Sequence, residues 1–148
     1  MAESSVFPRP AATLPLRTHE RTFAAVPSQV SHARQFLADL VGSHELADDA
    51  TICLSELATN AVIHSDSRNP GGTFGVRVTA GADFICVEVT DAGGVWGSAE
   101  LPGEGVWGRG LAIIAGLATS CGVTGGISGR TAWCEVRGTG ANAASDVS

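Results

Sequence analysis

Ser55-Glu56-Leu57-Ala58-Thr59-Asn60-Ala61-Val62-Ile63-His64 is the stretch on which the fold turns. With Leu54 before it, Leu57, Ala58 and Ala61 recur at i, i+3, i+4 and i+7, the spacing of one apolar helix face. A helix is predicted over 46–64. Glu56 and Asn60 are four residues apart and share a face, read as the one opposite the apolar stripe. A carboxylate there can accept a proton from a hydroxyl nucleophile. An amide oxygen one turn later can be a single protein ligand to Mg2+, which keeps several waters and completes its shell with substrate phosphates. An ordinary solvated helix face carries the same residue types, so this stretch alone does not decide the chemistry.

Upstream, Pro27-Ser28 opens another helix, with Ser28 read as its N-cap. Val30, Ala33, Leu37, Leu40 and Val41 form its apolar stripe, and Gly42 ends it. Residues 16–23 are predicted as a first strand. Downstream, Gly71-Gly72 marks a turn. Phe74, Val76 and Val78 then alternate with polar or small residues, and so do Ile85, Val87 and Val89, giving two strands joined by a short connection. Residues 91–110 are dense in Gly and carry Trp96 and Trp107, which reads as a long loop. Residues 111–118 are apolar on every side and are predicted as a buried helix, followed by strands near 121–124 and 131–137. This order predicts an α+β fold, a two-layer α/β sandwich whose mixed, mostly antiparallel sheet is covered by helices on one face. One domain spans 16–137, between loose tails at 1–15 and 138–148.

Composition narrows the function. The chain has 148 residues and is 44% hydrophobic, enough for one core. A net charge of −6 argues against non-specific nucleic-acid binding. All nine basic side chains are Arg, which excludes a P-loop and a Schiff-base lysine. Cys53, Cys86, Cys121 and Cys134 lack the short spacings of metal or redox motifs and are read as buried, reduced thiols. No secretory signal or membrane-length apolar stretch is present, so a cytoplasmic protein with no membrane contact is expected.

Two more segments carry candidate chemistry. Asp91-Ala92-Gly93-Gly94 follows a strand directly. An ionised Asp offers only acceptors, which suits the exocyclic amino group of adenine and not the carbonyl of guanine. Gly93 would allow close approach of the ring. A plain strand-end turn uses the same residues. Gly108-Arg109-Gly110-Leu111 stands at the mouth of the apolar helix, where free backbone N–H groups favour phosphate and Arg109 adds a positive charge.

The three segments in this order resemble the GHKL ATPases. Glu56-x-x-x-Asn60-Ala61-x-x-His64 looks like their asparagine box, Asp91-Ala92-Gly93 their first glycine box and Gly108-Arg109-Gly110-Leu111 their second. Gly129-Arg130-Thr131 is similar to a late strand that faces the nucleotide, which brings in Thr131. No helical hairpin with a phosphoacceptor histidine precedes these motifs, and the minimal pattern resembles the stand-alone anti-sigma-factor serine kinases. That resemblance implies a Bergerat-type sandwich binding ATP and Mg2+. It makes Glu56 the general base, Asn60 the metal ligand and Asp91 the adenine contact, with Gly93, Gly108 and Gly110 as lid glycines. It implies an anti-anti-sigma factor phosphorylated on Ser, a sigma factor as competing partner, and a homodimer. One position departs from the pattern: Val95 stands where the first box usually has its second Gly. A non-catalytic nucleotide-binding module that sequesters a partner is the alternative, and an orphan catalytic domain serving a separate histidine-containing subunit is a third reading.

Overall fold

Alternation builds the sheet. In three strands every second side chain is buried: Phe74, Val76 and Val78; Ile85, Val87 and Val89; Ala132, Cys134 and Val136. A strand sends successive side chains to opposite faces, so these nine define one covered face. The computed structural model describes residues 16–94, 113, 114 and 116–138. Its elements are β1 (Arg17–Ala24), α1 (Ser28–Val41), α2 (Ala47–His64), a 3-10 turn (Asp66–Arg68), β2 (Thr73–Ala80), β3 (Phe84–Asp91), β4 (Ser120–Gly126) and β5 (Gly129–Arg137). The sheet order is β1-β2-β3-β5-β4, and each neighbouring pair is antiparallel. Of the mixed and antiparallel options open to the sequence, the described strands take the second.

The two helices cover one face, giving the α+β two-layer architecture. Val30, Ala33, Phe36, Leu37 and Val41 of α1 are buried, as are Ala50, Cys53, Leu54, Leu57, Ala58 and Ala61 of α2. Burial of each larger side chain contributes about 1.5–3 kcal/mol. Phe36 was missing from the predicted stripe. It meets Phe23 edge-on at 5.9 Å, and Phe23 stacks on Phe74 at 5.5 Å, which ties α1 to the β1–β2 edge. The other face of the sheet has no helix among the described residues. Threonines and charges line it, including Thr22, Thr90 and Thr131 in one row and Glu20, Arg77 and Glu88 in the next. Arg17, His19, Glu20 and Arg21 along edge strand β1 are charged or polar, which discourages pairing with another chain.

Several expectations need correction. Ser28 is the first helical residue and caps nothing. Pro27 holds the cap position at φ −54°, and no side chain accepts the first N–H groups. Gly42 does end the helix, at φ 50° with its N–H on the Ala38 carbonyl. Ile113, Ile114, Gly116 and Leu117 are helical as predicted, but Ile114 is fully buried and Ile113 is 44% exposed, so that segment is two-sided. Gly138, just past the end of β5, donates to the Asp83 carbonyl at 2.9 Å. The cysteines are all free, yet Cys121 is exposed and Cys86 half-buried. Burial and the neighbouring Glu88 and Glu135 push the Cys86 thiol up to about 11.

Candidate functional site

The long helix places its polar residues differently from the sequence reading. Asn60 is not opposite the apolar stripe. It is 4% exposed, among the core residues of α2. The reason is angular: at 100° per residue, position 60 stands 60° from position 57 and 100° from 61, at the margin of the stripe. Among the described residues its Nδ2 has no hydrogen-bond partner. A buried donor left so costs about 1–3 kcal/mol, and an incoming oxygen ligand would remove that cost. Glu56, one turn earlier, is half-buried and keeps access to solvent. His64 sits half-buried in the last turn.

The end of this helix is tied to the end of β3. Ser65 Oγ donates to the Ala61 carbonyl at 2.7 Å and accepts from Ser67 N at 3.0 Å, which stops the helix and starts the 3-10 turn. Ser67 Oγ then accepts from Ala92 N at 2.8 Å, and Asp66 N donates to the Gly93 carbonyl at 2.8 Å. The segments carrying Asn60 and Asp91 are therefore fixed to one another through backbone and hydroxyl groups. A cavity of about 510 Å3 opens at this junction, with Asp66, Ser67, Gly72, Thr73, Asp91 and Ala92 in its lining.

Asp91 closes β3 with both oxygens engaged. Oδ1 accepts from Gly93 N at 2.6 Å and Oδ2 accepts from Arg130 Nη2 at 3.0 Å. The two side chains are 7% and 4% exposed, so this is a buried ion pair. Burial raises the carboxyl above its ordinary value, against the opposing pull of the Gly93 N–H and the guanidinium. Arg130 was not selected from the sequence. Its signal was parity: counting back from Val136, Cys134 and Ala132, position 130 faces inward, and an inward charge in a strand calls for a partner.

The same parity locates Thr131 on the opposite face. Its side chain lies on the open face of the sheet, where its hydroxyl meets that of Thr90 at 2.9 Å. There it helps line an adjoining cavity of about 310 Å3 with Glu20, Arg77 and Glu88, which meets the first at Thr22, Gly75 and Thr90. Thr131 is thus turned away from the face that holds Asp91 and Asn60.

Gly93 occupies a position that requires glycine for a reason internal to the chain. Its φ is +76°, and a Cβ there would stand 2.0 Å from the Gly126 carbonyl oxygen. The close neighbour is the β4–β5 hairpin of the chain itself. Gly93→Ala is expected to cost roughly 1–3 kcal/mol or more, because both the backbone region and the contact are unfavourable. Urea denaturation of the variant checks this, and an unchanged midpoint would show that the loop shifts freely.

Gly108, Arg109, Gly110, Leu111 and Val95 lie outside the described residues, as do Trp96 and Trp107. Among the described residues no group of three His, Cys, Asp or Glu side chains could hold a metal. This is compatible with Mg2+, which needs only one or two protein ligands. No helix among them is long and apolar enough to cross a membrane.

Residues 23–133 match the model of the histidine kinase-like ATPase domain. Among solved structures, the chain is similar to the RsbU and RsbW domains of Rv1364c from Mycobacterium tuberculosis, with a TM-score of 0.61 at 19% identity. The similarity covers 82% of this chain and 32% of that one, so this chain spans about a third of that protein's length. At such identity the likeness concerns the fold. No curated protein matches the sequence.

Proposed function

Because the chain belongs to the histidine kinase-like ATPase domain family, we propose that it is an ATP-dependent protein serine kinase of the anti-sigma-factor type. It would phosphorylate an anti-anti-sigma partner on Ser and sequester a sigma factor, as a cytoplasmic homodimer. The observation that carries this reading is the pairing on α2 of an accessible carboxylate, Glu56, with the buried amide of Asn60 one turn later. Glu56 takes the proton that the partner's hydroxyl gives up. Asn60 presents its amide to the metal and phosphate side, and Asp91 receives the base. Bound Mg2+ would neutralise charge on the phosphates. Arg109 and the backbone N–H groups of Gly108 and Gly110 would hold the phosphate chain near Leu111. Pull-down from native lysate with and without ATP, followed by transfer of labelled phosphate to the captured protein, tests the whole reading. Capture without transfer favours the sequestering module. One observation points that way too: the Asp91 carboxylate is already engaged on both oxygens.

Mg-ATP is expected to raise the melting temperature, since a ligand that binds only the folded state stabilises it by about 2.7 kcal/mol at a hundredfold excess over Kd. Asn60→Ala should shrink the part of that rise that depends on Mg2+. A flat melting curve at saturating nucleotide would remove ATP from the proposal.

A further inference from the structure

We propose that Cys121 and Cys134 are a redox-modification site, where a hydroperoxide oxidises Cys121 and Cys134 then closes a reversible disulfide across the β4–β5 hairpin. The two residues stand directly opposite each other in the antiparallel β4–β5 ladder. Opposed residues of such a pair have Cα atoms about 4.5 or 5.5 Å apart, inside the span of about 4.4–6.8 Å that disulfides bridge. Their side chains also share one face of the sheet. Cys134 is fully buried there, in line with Ala132 and Val136. Cys121 is exposed, because β4 is the edge strand, and Val123 on the same side of β4 is 37% exposed as well.

The other two thiols do not offer this combination. Cys53 is fully buried on α2 and meets Cys134 from the helix side. Cys86 stands opposite Glu135 and so faces the open side of the sheet, away from Cys134. Free cysteine behaves as a small buried hydrophobe, which accounts for Cys53 and Cys134 and leaves Cys121 without a packing reason. Redox-sensing cysteines are solvent-accessible and often have a resolving cysteine beside them. The hydrogen bond with Cys53 and burial hold the Cys134 thiol above its ordinary range, so Cys134 suits the second role and not the first. Oxidation takes two stages. The Cys121 sulfur attacks the hydroperoxide and its O–O bond breaks, giving a sulfenic acid, while the thiol proton leaves with the other oxygen as water or alcohol. The Cys134 sulfur then attacks that of Cys121. An S–S bond forms, the S–O bond breaks, and the Cys134 proton leaves with the hydroxyl as water. Reducing compartments make such a disulfide transient.

Hydrogen peroxide added to the reduced full chain, followed by alkylation and peptide mass spectrometry, tests this. The expected product is a crosslink within one chain between the peptides of Cys121 and Cys134, lost on treatment with dithiothreitol. Cys121→Ser should abolish it, and Cys53→Ala should retain it. In Cys134→Ala, dimedone should trap a sulfenic acid on Cys121 in place of the crosslink. A sulfenic acid on Cys121 of the parent that persists without a crosslink overturns the proposal, and so does a parent that keeps all its thiols free. A crosslink that joins Cys53 to Cys134, or Cys121 of two copies, overturns it too. These outcomes are read on the parent, so they hold even where Cys134→Ala fails to fold.

Discussion

Glu56→Gln is expected to lower phosphate transfer by at least about a hundredfold while ATP affinity stays within a few-fold. Positioned general bases contribute roughly 10²–10⁴ in rate, and glutamine keeps the size of the side chain but cannot take the proton. The position makes this a clean test. Glu56 is half-buried on α2 and has neither a hydrogen bond nor an ion pair recorded among the described residues, so the change costs little stability, within about 0.5 kcal/mol for such sites. Asn60→Ala makes a useful contrast. That residue is buried and its substitution should act on nucleotide binding, not on the proton alone. The two measurements are transfer of labelled phosphate to the captured partner and calorimetry with Mg-ATP. Transfer by Glu56→Gln at the parent rate would return Glu56 to a solvated helix face and leave the family fold without this base.

How much of this was legible beforehand follows from which physical signal each residue carries. The strands β2, β3 and β5 were readable because one face is buried and the other is not, so the period of two survives intact in the sequence. The stripe of Leu54, Leu57, Ala58 and Ala61 was readable for the corresponding reason on α2. Strand β4 was faint: its residues are mostly exposed, and Gly122, Gly125 and Gly126 interrupt any period. Gly122 is short because the Trp133 indole occupies the space where its Cβ would stand, a cross-strand contact no local reading supplies. Asn60 was misplaced because a residue at the margin of a stripe is buried or exposed according to what packs beside it. Thr131, suggested by resemblance to a motif, lies on the open face by strand parity, the same count that turns Arg130 inward. The second glycine segment, 108–111, lies outside the described residues and its reading rests on the sequence.

That overlooked arginine carries the largest stability effect. Arg130→Met is expected to destabilise the domain by about 3–5 kcal/mol at neutral pH, the cost of leaving a buried charge without its partner. Small domains have about 5–15 kcal/mol in all, so the variant should stay folded but unfold at clearly lower urea. Methionine fills most of the volume, so a cavity is not the cause. Two controls separate charge from packing. Asp91→Asn added to Arg130→Met should recover much of the loss, because the carboxylate left behind is gone. Acid should also recover it. In the parent, burial already holds Asp91 above its ordinary value of 3.8, and loss of the guanidinium removes one of the influences that lower it. A carboxyl with a raised folded value contributes stability that is fully present below the unfolded value and is lost as pH rises through the folded one. The gap between Arg130→Met and the parent should therefore widen as pH climbs above the parent's own raised Asp91 value and close again on acidification. A gap of constant size across that range would mean that Arg130 acts through packing of its aliphatic stem, and that the charge on Asp91 is met by another group.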